Sequence, residues 1–143
     1  MNETGSHPGK TEPGDIHSRL NSIRQLIAAK RFQPALAALD KLIEAAPGDA
    51  ELHYTRAVTL RYTGRADEAR AAIDTVKQLS PNHGRAHQEE GHLERELGND
   101  AIAIDCYRRA LQLNPALTAS LRAQFELLQK SGRQREAIVA QAA

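Results

Sequence analysis

The chain of 143 residues has no tryptophan, one cysteine and one methionine, and aromatic residues make up only 3% of it. With Cys106 alone, no internal disulfide can form and no thiolate metal cluster can be assembled. Long apolar runs are missing too, since none approaches the roughly 18 residues that suggest a membrane span. The polar start MNETGSHPGKTEPGD has neither the basic region nor the apolar stretch of a secretory signal. A cytoplasmic location without membrane association is therefore expected. Charge of one sign is also lacking. Nineteen Lys and Arg stand against eighteen Asp and Glu, a balance without the field of a dedicated nucleic-acid binder, so no nucleic acid is expected as partner.

The groupings that carry catalysis or bind metals are equally scarce. His83, His87 and His92 invite a metal reading, but His83 falls in a proline turn, and a spacing of five from His87 to His92 puts those rings on different helix faces. Structural roles are the better reading for His53 and His87. Cys106 lies beside Tyr107, Arg108 and Arg109 with no base in a recognisable relation to it, so it reads as a small buried or half-buried thiol. Gly64 and Gly132 are isolated glycines rather than a phosphate-cradling loop. No catalytic residue, metal or cofactor is expected, and the chain is not read as an enzyme.

What the chain does have is a period. Pro47, Pro81 and Pro115 are 34 residues apart, and so are Gly64, Gly98 and Gly132. A fixed interval in this range is the mark of a repeat array. Apolar residues precede each proline at helical spacing, as in Leu36, Leu39, Leu42 and Ile43, and each glycine follows another helical segment, such as Leu93 with Leu97. Glycine supplies the left-handed stop of the first helix. Proline cannot continue the hydrogen-bond ladder of the second, and so closes it.

The unit is thus helix, tight turn, helix, proline turn. Repeats are expected at 16–49, 50–83 and 84–117, with a partial fourth at 118–143 that turns at Gly132 into a short second helix carrying Ala137, Ile138 and Val139. Residues 1–15, crowded with Gly and Pro, read as a disordered leader, in which Gly5-Ser6-His7 is either a tag remnant or native sequence. Small residues recur where paired helices must approach: Ala35, Ala69, Ala103 and Ala137 at one position, Ala57 and Gly91 at another. A single hairpin cannot bury both of its faces, so stacked neighbours must supply the core.

These residues resemble the tetratricopeptide repeat family, whose 34-residue unit has small residues at positions 8, 20 and 27, glycine near 15 and proline at 32. The third repeat fits best, through Gly91, Gly98, Ala103, Tyr107, Ala110 and Pro115. The first is looser, with Ile23 at a small position and Lys30 in the place of the turn glycine. Ser22, Arg56, Glu90 and Gln124 stand where the family usually has leucine. The resemblance implies an all-α, right-handed α-solenoid of antiparallel helix pairs with about three and a half repeats.

It also implies a protein-interaction scaffold whose first helices line a concave groove for a peptide or partner protein. The residues placed there are Arg24, Tyr54, Thr55, Val58, Arg61, Tyr62, Gln88, His92, Arg95, Arg122, Glu126 and Gln129, with Leu20 beside them. Tyr and Arg are enriched at binding hot spots. The competing reading is that these charges only form solvated pairs along a helix, for instance Arg122 with Glu126. In the family's carboxylate clamp, Lys, Asn and basic residues occupy places that hold Leu20, Arg24, Gln88 and His92 here, so binding of chaperone tails is not expected.

An array normally ends in a capping element with a polar outer face. None is visible before Ala143, which suggests either that the natural chain continues, the favoured reading, or that the uncapped C-terminal helix self-associates. The stretch PNHGRAHQEEGHLERELGN is more weakly similar to repeat regions that precede sulfotransferase domains in some bacterial proteins. The alternative function is accordingly that of a non-catalytic accessory domain of a larger, sulfotransferase-like enzyme.

Overall fold

The computed structural model of the chain describes residues 13–142, with side chains described from Asp15 and omitted for a few residues after Arg135. Among these residues the structure is all-α. Seven helices follow in order: α1 (Pro13–Ala28), α2 (Phe32–Ala45), α3 (Ala50–Tyr62), α4 (Ala66–Leu79), α5 (Gly84–Glu96), α6 (Asp100–Leu113) and α7 (Thr118–Ala142). Contacts fall into two compact units, one up to Leu79 with α1–α4 and one from Ser80 with α5–α7.

The first six helices end by two alternating chemistries. After α1, α3 and α5, the chain turns through a left-handed residue that closes a pair of backbone bonds. Arg31 N–H reaches Leu26 C=O at 2.8 Å, Arg65 reaches Leu60 at 3.0 Å, and Asn99 reaches Glu94 at 2.8 Å. The residue before each donor has positive φ: Lys30 at 61°, Gly64 at 76° and Gly98 at 84°. This is the Schellman closure, which satisfies carbonyls that the helix end leaves unpaired. Lys30 makes the same turn as the two glycines at the steric cost of a side chain in that region.

After α2, α4 and α6, the residue before proline accepts from the residue three further on. Asp49 N–H bonds Ala46 C=O at 3.1 Å, His83 bonds Ser80 at 3.1 Å, and Leu117 bonds Asn114 at 3.2 Å, so Pro47, Pro81 and Pro115 hold equivalent turn positions. Side chains cap the helices that follow. Asp49 Oδ1 accepts from Glu51 N–H at 3.0 Å, and His83 Nδ1 from Ala86 N–H at 3.1 Å.

Two expectations are corrected. Residues 1–12 of the expected leader lie outside the described residues, but α1 opens at Pro13, ahead of Ile16. Proline suits a first helical turn because its missing N–H has no partner there anyway, and Asp15 complements the positive end of the helix. The expected turn at Gly132 is not made either: α7 is a single helix of 25 residues running through it.

Phe125 stands 34 residues after Gly91 and 68 after Ala57, at the position where the paired helices touch. In the α5–α6 hairpin, a Cβ on Gly91 would lie 2.7 Å from Cε1 of Tyr107, so that approach leaves no room for a side chain at Gly91. Ile23 holds the same position in α1; it is buried, but a hollow of about 250 Å³ lined by Ile23, Leu26, Ala38 and Leu42 opens beside it.

The first unit is built on Leu20, Ile23, Ala35, Leu39, Leu42 and Leu52 from α1–α3. Ala57 and Leu60 of α3 are buried, as are Ala69, Ile73 and Val76 of α4. In the second unit Ala103 and Tyr107 of α6 pack with Ala123 and Leu127 of α7. Ala35, Ala69 and Ala103 share one repeat position and all are fully buried, where any larger side chain would push the helices apart. Arg56, at a usual leucine position, makes an ion pair with Asp40 on α2 at 2.9 Å instead of packing.

Candidate functional site

In the first unit, the ends of α1 and α3 and the start of α2 surround a depression of about 550 Å³ lined by Arg24, Ile27, Ala28, Lys30, Phe32 and Tyr62. The Schellman turn at Lys30 brings Phe32 back beside the end of α3. The Phe32 and Tyr62 rings are 5.9 Å apart at a 41° tilt, and Tyr62 is 53% exposed. The Arg61 guanidinium lies 4.9 Å from the Tyr62 ring centre, within cation–π range. Two cations and no carboxylate are among the lining residues, and aromatic and aliphatic carbon forms the remainder. Such a site can take an apolar side chain and hold a neighbouring negative charge.

The other first-unit residues read from the sequence fall differently. Arg24 is exposed, and its Nη2 donates to Glu51 Oε2 at 3.1 Å across α1 and α3. Tyr54 and Val58 are half-buried. Thr55 is buried, and its hydroxyl donates to Glu51 C=O at 2.9 Å, so it is spent inside α3. Leu20 belongs to the core and offers no groove surface.

In the second unit, most of the polar groups read as partner contacts hold α5 against α7 or α6. Gln88 Oε1 accepts from the buried Ser120 hydroxyl at 2.8 Å. Arg95 Nη2 donates to Glu126 Oε1 at 3.0 Å, a pairing between helices rather than the pair along one helix that the competing reading offered for Glu126. His92 Nδ1 is 2.7 Å from the Tyr107 hydroxyl, with the rings edge-on at 5.4 Å. Arg122 and Gln129 are exposed.

Ile27, Ala28, Lys30 and Phe32 are the lining residues that sequence reasoning did not name. Phe32 is one of only two phenylalanines, and Lys30 fills a glycine slot, so both carried a signal. Lys30 lies in the turn and Phe32 opens α2, so neither is on the face of a first helix.

Outside this site, Cys106 is buried in α6. His53 Nε2 is 2.8 Å from Pro47 C=O, which ties α3 to the proline turn. No group of three His, Cys, Asp or Glu that could hold a metal occurs among the described residues, and no described helix is long and apolar enough to cross a membrane. At the start of α4, Arg65 forks onto Glu68 with two 2.7 Å hydrogen bonds. That hydrogen bonding holds the Glu68 carboxyl below its ordinary value and Arg65 above its own.

Successive helix hairpins closed by equivalent turns define an α-helical repeat protein. A family model described as tetratricopeptide repeat matches residues 26–89, and a second of the same description matches 84–117. The chain belongs to the tetratricopeptide repeat family. It is 32% identical over 87 residues to DnaJ homolog subfamily C member 7 of Mus musculus, an alignment covering 61% of this chain and 18% of that protein, with the same figures for the Homo sapiens protein. The chain thus spans under a fifth of the length of these curated relatives.

Among solved structures, the first TPR of Spaghetti (RPAP3) bound to the HSP90 peptide SRMEEVD superposes with a TM-score of 0.74 at 16% identity, over 85% of this chain and 97% of that one. MamA gives 0.72 at 16% identity, over 89% and 74%. YrrB, described as a TPR protein with an unusual peptide-binding site, gives 0.69 at 21% identity, over 84% and 58%. At these identities the likeness shows the fold. These matches carry the repeat family and add nothing to the weaker resemblance to repeat regions preceding sulfotransferase domains.

Proposed function

We propose that this domain is a protein-interaction scaffold that holds a peptide or partner segment against the first-helix face of its first unit, in the cytoplasm. The observation that carries the reading is the half-exposed Tyr62, stacked near Phe32 and flanked by Arg61, at the wall of a depression that also presents Arg24 and Lys30. Aromatic and arginine anchors beside an apolar hollow are what binding hot spots are made of. Peptide binding by solved tetratricopeptide structures of the same fold supports the reading. Tyr54 and Val58, half-buried on α3, are proposed as secondary contacts beside the anchor.

The deciding experiment is a peptide array read with the chain and with an Arg61→Ala, Tyr62→Ala double variant. Peptides bound by the chain should lose at least tenfold in affinity on the variant while helicity stays unchanged. Equal affinity would move binding off this face. The SRMEEVD sequence belongs on the array as a peptide expected to bind poorly, because the place of a clamp residue is taken by the buried Leu20.

A further inference from the structure

The long helix α7 leaves one side uncovered. Leu121, Phe125, Leu128 and Val139 are 56%, 61%, 49% and 68% exposed. With Gly132 and Arg135 between them, these residues advance along α7 in alternating steps of four and three, the seam of a paired helix. At 1.5 Å per residue the stripe is about 27 Å long. Ser120, Ala123 and Leu127, on another side of the helix, are buried within the unit.

Elsewhere such a stripe is covered. Ala57 and Leu60 of α3, and Gly91 and Glu94 of α5, stand at the repeat positions of Phe125 and Leu128, and all four are buried. In α7 those positions are exposed among the described residues.

We propose that the stripe is the interface of a homodimer in which the α7 helices of two copies pair antiparallel about a two-fold axis near residue 130. The stripe is self-complementary in that direction. Leu121 then meets Val139 of the second copy, Phe125 meets Arg135, and Leu128 meets Gly132, each contact made twice as a two-fold interface requires. The large apolar residues of one half face the small or cationic ones of the other. A Cβ on Gly132 would have nothing within 4 Å, which leaves room for Leu128 of the second copy, and Arg135 can cover the Phe125 ring as cation on aromatic. A parallel pair would instead set Arg135 against Arg135 and leave a gap between facing glycines.

Sedimentation of the 143-residue chain from low micromolar to near-millimolar concentration tests this. A monomer–dimer equilibrium is expected, with the dissociation constant raised at least tenfold by Phe125→Asp and by Leu128→Asp at unchanged helicity. If either variant loses helicity, Leu121→Asp on the same exposed stripe supplies the reading. A chain that stays monomeric throughout has some other occupant on the stripe, and a dimer indifferent to the substitutions uses another surface; both results overturn the proposal.

Discussion

A methyl group placed on Gly91 would lie between 2.7 and 2.9 Å from three ring atoms of Tyr107, closer than Cβ atoms come in real proteins. Tyr107 is fully buried and its hydroxyl is 2.7 Å from His92 Nδ1, so the ring cannot step aside without giving up that contact. Gly91→Ala should therefore destabilise the chain in spite of alanine's better helix propensity. Overpacking costs about 1–3 kcal/mol and the propensity gain returns about 1, leaving a net loss of up to about 2 kcal/mol in chemical denaturation. Tyr107→Phe, which keeps the ring and removes the hydroxyl, should cost about 0.5–1.5 kcal/mol.

The three left-handed turns make an internal comparison. A Cβ on Gly64 or Gly98 meets nothing within 4 Å, so alanine at either position adds backbone strain and no clash. Each substitution should lower stability by about 1 kcal/mol. Lys30, already at φ 61°, carries that strain in the native chain. Lys30→Gly should raise stability by about 0.5–1 kcal/mol, the reverse of the usual effect of introducing glycine. Thermal denaturation of the three variants side by side gives the signs directly.

These turns also show what could be read in advance. The 34-residue interval and the proline and glycine positions depend on local backbone chemistry, and local chemistry is written in residue type: Gly64 and Gly98 turn because only glycine is at ease there. Gly132 has the same residue at the same interval and does not turn. The outcome there depends on whether a second helix docks, which residue type at one turn position does not record. The pairings of Arg24 with Glu51 and Arg95 with Glu126 span 27 and 31 residues. Which carboxylate each arginine meets depends on how neighbouring helices stack, and periodicity alone does not supply that geometry. The Phe32–Tyr62 contact was hidden for the same reason, since it needs the turn at Lys30 to carry α2 back along α1.

Arg24 and Glu51 give a prediction in which stability and binding move in opposite directions. Their side chains are 43% and 29% exposed, and ion pairs this open contribute below about 1 kcal/mol. Glu51→Gln should thus lower stability by less than about 1 kcal/mol. It also removes the carboxylate that occupies Arg24 at the edge of the depression, so affinity for an acidic peptide bound there should rise. Isothermal titration at low and high salt checks both the gain and its electrostatic origin, because the increment should shrink as salt screens the exposed charge.

Glu68 supplies the prediction for pH. Its carboxyl lies below the ordinary 4.5 because Arg65 donates two hydrogen bonds to it. A carboxyl depressed in the folded state adds stability that is complete above its unfolded value and is lost as pH falls through the lower folded one. Carbon-detected NMR titration should find Glu68 ionising below an unpaired glutamate, and Arg65→Gln should return it to the ordinary range. The same substitution should lower stability slightly above pH 4.5, where the contribution is complete, and the two curves should converge as pH falls below that value, which makes the acid limb of the variant shallower. The effect is small because both side chains are 40% or more exposed, and water there competes for the same hydrogen bonds. A Glu68 that ionises at the ordinary value in both chains would mean that the fork at the start of α4 does not persist in solution.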